Sequence, residues 1–150
     1  MPPGHLWRQD MKASLLYRIA SVLLLLFAIG HTLGFRQTDP AWGVGSLIDS
    51  MRSIHFDVQR FSRTYWDFFT AFGLFFSVFL LFSAVLAWQL SGLPPEIFAR
   101  MHRTAWALAI SFAAVTALCF RYAFTIPIVL STMITICLLA ATWLSAKKPI

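Results

Sequence analysis

Three side chains near the ends of apolar segments have the types that chemistry requires: His31, Asp67 and Arg121. An imidazole can move a proton near neutral pH or act as a ligand, a carboxylate can orient or charge it, and a guanidinium can hold an anionic group. Tyr65 and Tyr122 stand beside Asp67 and Arg121, and His55 and Asp57 precede them in a polar connecting segment. The same set also reads as an interfacial polar cluster, with Asp67 paired to Arg121 or Arg63 and His31 donating to a carbonyl or to Asp67. Nucleophile, phosphate-loop and dinucleotide motifs are absent. No His-x3-His or Glu-x-x-His pair places two ligands on one helix, so no metal site, haem or other cofactor is expected.

These residues meet only if their elements cross a membrane. The chain has 150 residues, 59% hydrophobic and only 12% charged, against roughly 25% charged in ordinary soluble domains. Too few polar residues remain to cover a water-soluble core, so the main solvent is lipid. The formal charge of +6 forms no continuous basic stripe with interleaved aromatics, and no nucleic-acid partner is expected. A helical span of hydrocarbon takes about 20 mainly apolar residues, and four segments qualify: about 15–34, 65–90, 104–120 and 125–144. The fold expected is therefore all-α, one transmembrane domain over residues 1–150 built as a four-helix bundle.

The connections differ. Ser91 to Ala99 holds Gly92, Pro94 and Pro95 and reads as a turn, while only Arg121 to Phe124 separates the last two spans, making them antiparallel neighbours. The segment 35–64 is too long for a plain link. Within it Leu47, Ile48, Met51 and Ile54 recur at helical spacing opposite Asp49, Ser50, Arg52 and Ser53, which predicts a short amphipathic helix at the membrane surface. With four spans, Arg8, Lys12, Arg18, Arg100, Arg103, Lys147 and Lys148 fall on one side and Arg36, Arg52, Arg60, Arg63 and Arg121 on the other. That asymmetry favours cytoplasmic termini and an extracytoplasmic 35–64 loop. His31, Asp67 and Arg121 then approach the extracytoplasmic face together.

Packing signals are small residues, since lipid gives helices no hydrophobic drive to associate. Ala105, Ala109, Ala113 and Ala117 recur every fourth residue; Gly30 and Gly34 form a GxxxG, and Gly73 with Ser77 a weaker one. Each serves internal packing or a homodimer face. Trp66, Trp88, Trp106 and Trp143 fall near span ends, as interfacial belts require. In an antiparallel hairpin Cys119 and Cys137 differ in height by roughly 16 Å at 1.5 Å per residue, too far for a disulfide.

At Gly30-His31-Thr32-Leu33-Gly34 and at Ser62-Arg63-Thr64-Tyr65-Trp66-Asp67-Phe68-Phe69, followed by Gly73, the chain resembles a family of small four-span bacterial membrane proteins. The resemblance extends over most of the chain and implies a four-span architecture and a bacterial inner membrane. It carries across no catalytic residue. The function expected is that of a binding or accessory subunit, in contact with membrane lipid and with other membrane proteins or a second copy. The alternative is an intramembrane enzyme or small-molecule binder, for a lipid or quinone, using the extracytoplasmic polar set.

Overall fold

The computed structural model describes residues 4–146, with side chains from Met11 onward. Arg8, Lys147 and Lys148 of the charge count lie outside the described side chains. The chain runs through α1 (Gly4–Gly34), a 3-10 turn (Pro40–Trp42), α2 (Gly45–Ser53), β1 (His55–Val58), β2 (Phe61–Thr64), α3 (Tyr65–Ser91), α4 (Pro95–Tyr122) and α5 (Thr125–Ala146). Helices α1, α3, α4 and α5 are each long and apolar enough to cross a membrane, over Met11–Gly34, Tyr65–Ser91, Pro95–Tyr122 and Thr125–Ala146. The all-α, four-span architecture stands, and the protein is a multi-pass membrane protein.

Two of the helices outrun their hydrocarbon-length segments. The turn after α3 is only Gly92 to Pro94, and α4 starts at Pro95 rather than Thr104. Proline at the first helical position lacks only an N–H that the helix leaves unpaired anyway. Arg100 and Arg103 therefore sit on the first turns of α4. Similarly α1 begins well before Leu15, because no helix breaker intervenes between Gly4 and the apolar run.

Two compact units make up the chain: Met1–Phe27 with Leu80–Ile150, and Ala28–Phe79. The first unit contains segments of all four long helices around a core of Tyr17, Leu24, Leu80, Phe112, Ile134 and Leu138. Interhelical hydrogen bonds fix its register. Tyr17 Oη lies 2.8 Å from Thr142 Oγ1, Ser21 Oγ donates to the Ala84 carbonyl at 2.8 Å, and Thr116 and Thr135 hydroxyls meet at 2.8 Å. In hydrocarbon such hydroxyls find no water, so each bond selects one helix pairing over its slipped alternatives. Ala105 and Ala109 are fully buried here, Ala113 is half-buried and Ala117 is exposed. The alanine stripe thus leaves the buried core midway along α4. Cys119 and Cys137 are free thiols.

The second unit holds the ends of α1 and α3 that join the long connection. Helix α2 forms where the apolar spacing places it. The following segment is not an irregular loop: β1 and β2 pair antiparallel, Phe56 opposite Arg63 and Asp57 opposite Ser62. Its two-residue turn, Gln59 and Arg60, has φ of 50° and 73°, the left-handed pair that hairpin turns matching strand twist require. Side-chain alternation gives the hairpin one face with Phe56, Val58, Phe61 and Arg63 and another with His55, Asp57 and Ser62.

Candidate functional site

His31 lies on the last turn of α1, within the second unit. Its Nε2 sits 3.1 Å from the Gly73 carbonyl of α3. A carbonyl only accepts, so Nε2 carries the proton and the imidazole is the donor. Phe35 stacks on the ring at 5.1 Å and 13°, and Phe76 meets it edge-on at 5.0 Å and 84°. Gly73 is required by this arrangement, because a methyl on its Cα would fall on the Phe35 ring. The neighbouring hydroxyls complete the seam: Thr32 Oγ1 lies 2.7 Å from the Ala28 carbonyl and 2.8 Å from Ser77 Oγ, and Ser77 donates back to Gly73 at 3.2 Å. His31, Thr32, Gly73 and Ser77 together join α1 to α3.

Asp67 has a different duty. Its Oδ2 accepts from the Thr64 backbone N–H at 2.9 Å, while its own N–H donates to Thr64 Oγ1 at 3.2 Å. This reciprocal capping box satisfies two of the amides that every helix start leaves without partners. Asp67 is six residues before Gly73, about 9 Å along a helix, so the carboxylate and the imidazole bond occupy different heights on α3. Each has its own partner.

The remaining residues of the set are placed as follows. Arg121, in the other unit, lies over its neighbour Tyr122 with 4.9 Å from guanidinium carbon to ring centre, and both are exposed. His55 Nδ1 lies 2.9 Å from the Ser53 carbonyl. Tyr65 packs its ring 5.1 Å from Phe56, and Asp57 is exposed on the polar face of the hairpin. Among the described residues no group of three or more His, Cys, Asp or Glu side chains converges to hold a metal ion.

Gly30 and Gly34 are exposed, and a methyl at either would meet nothing within 4 Å. Among the described residues the close approach in this unit is at Gly73, where Phe35 packs, and not across that GxxxG. Sequence reasoning passed over Thr64, Thr32 and Phe35 as site-building residues. The spacing Thr64-x-x-Asp67 ahead of an apolar run is a legible capping signal; Phe35 has no such signal, since only the fold brings it onto Gly73. No protein-family model, curated protein or solved structure matches the chain.

Proposed function

We propose that this chain works as a binding or accessory subunit of a bacterial inner membrane, with both termini cytoplasmic and with lipid, other membrane proteins or a second copy as its neighbours. One observation carries this reading: the two membrane-depth groups best suited to chemistry are committed to structure. His31 Nε2–H donates its hydrogen bond to the Gly73 carbonyl, and the Asp67 carboxylate caps α3. Moving either side chain would loosen the helix contact or the helix start that it holds. The open Gly30/Gly34 surface is consistent with a neighbouring helix, since small residues permit close backbone approach.

The His31→Ala variant tests the reading. Losing the bond and two ring contacts should destabilise the protein by about 1–3 kcal/mol, read as a lower unfolding temperature in mild detergent. Native mass spectrometry of the parent and the variant should show the same bound species. An unchanged unfolding temperature together with a small molecule lost from the variant would overturn the proposal in favour of a chemical site at His31.

A further inference from the structure

We propose that the second unit carries a binding site for one anionic phospholipid, with an acyl chain in an aromatic groove and the phosphate against Arg52. The groove has a volume of about 520 Å³ and is lined by Met51 of α2, Phe56 of β1, and Tyr65, Phe68, Phe69 and Phe72 of α3. That volume falls in the range of roughly 300–1,000 Å³ typical of small-molecule sites. Its lining is almost wholly apolar, and ring stacking holds its walls: Phe56 lies 5.8 Å from Phe68 at 8° and 5.1 Å from Tyr65. Phe72 remains 67% exposed, so the far end opens sideways into hydrocarbon.

Its orientation argues for an amphiphile rather than bulk lipid. The span begins at Tyr65, which puts Phe72, seven residues on, about 10 Å deeper along the helix. Arg52 does not line the groove but flanks its shallow end: its guanidinium carbon is 4.2 Å above the ring of Trp66, which packs 5.4 Å from the lining Phe69. Stacking on an aromatic face leaves the guanidinium edge, with its fork of N–H donors, open to a phosphate. Arg63 emerges from the same hairpin face as Phe56, adding a second cation at headgroup level, whereas Asp57 is on the opposite face. Arg63 donates one N–H to the Ser62 carbonyl at 2.8 Å and interacts electrostatically with the Asp67 carboxylate, so Arg52 is the principal cation beside the groove. A cation at headgroup depth above an apolar groove is complementary to an acyl chain carrying a phosphate. This site is independent of His31 and of the accessory role.

Native mass spectrometry in non-ionic detergent tests it, with phosphatidylglycerol and phosphatidylcholine of identical chains added separately. The parent should retain one phosphatidylglycerol and bind phosphatidylcholine roughly tenfold more weakly, because the choline cation cancels the net negative charge and is repelled by Arg52 and Arg63. Arg52→Gln should bring the first lipid down to the level of the second. Phe72→Ala should weaken both, while Phe82→Ala, similarly exposed on α3 but off the groove, should weaken neither. Equal retention of the two lipids by the parent overturns the proposal, as does an unchanged Arg52→Gln, an effect of Phe82→Ala equal to that of Phe72→Ala, or a protein dimer in place of the lipid adduct.

Discussion

Arg60 sits at the hairpin tip with φ of 73°, a region that costs an L-residue about 1–2 kcal/mol. Glycine has no such cost but loses more chain entropy on folding, so Arg60→Gly should stabilise the hairpin by a net amount of about 1 kcal/mol. The hairpin residues are mostly exposed, so the readout is local: amide exchange at Phe61 and Val58 should slow roughly fivefold for that energy. Exchange left unchanged would mean that the turn is not strained. Residues like this one explain what the sequence conceals. Gln59-Arg60 lacks the Asn-Gly or Asp-Gly signature of such turns, and the 35–64 segment reads as a loop because neither strand shows a strong apolar alternation. His31 is a different case: its placement near the end of α1 follows from the sequence, which leaves open whether it acts as acid/base or ligand or donates to a carbonyl or to Asp67; the Gly73 carbonyl becomes its partner only in the fold.

Among the elements, α4 separates pattern from burial. Its alanines recur every fourth residue, yet a straight helix with 3.6 residues per turn carries such a series around its own axis. The stripe is buried at Ala105 and Ala109 and emerges by Ala117. Ala109→Leu should therefore overpack the interior and cost about 1–3 kcal/mol, whereas Ala117→Leu should shift the unfolding temperature little. If the two variants unfold alike, α4 is rotated from its described position. The number of helices and their span centres were legible because apolar length is set by bilayer thickness. Their ends were not, since hydropathy reports hydrocarbon and says nothing of a helix that continues past it, as α1 and α4 do. The α3 start was the best defined of all: Thr64 and Asp67 cap it, and expectation and structure agree on Tyr65.

For the molecule as a whole, exposed apolar area leaves one environment. Phe75 is 66% exposed and Phe82 63%, and large contiguous apolar surfaces of this kind are not left in water by soluble monomers. Four spans put both termini on one side of the membrane and the 35–64 segment on the other, whichever way the chain is inserted. Basic residues choose between the two insertions, seven against five in the sequence, and Asp39, Asp49 and Asp57 contribute little to that choice because the rule counts cations rather than net charge. Thiol labelling decides it. In a background with Cys119 and Cys137 replaced by alanine, Thr38→Cys should react with a membrane-impermeant maleimide on intact bacterial cells, while Glu96→Cys should react only after permeabilisation. Both positions are exposed, so accessibility reports the side rather than burial. The opposite pattern reverses the orientation and moves the aromatic groove with Arg52 to the cytoplasmic leaflet; labelling of both from outside would refute a four-span insertion.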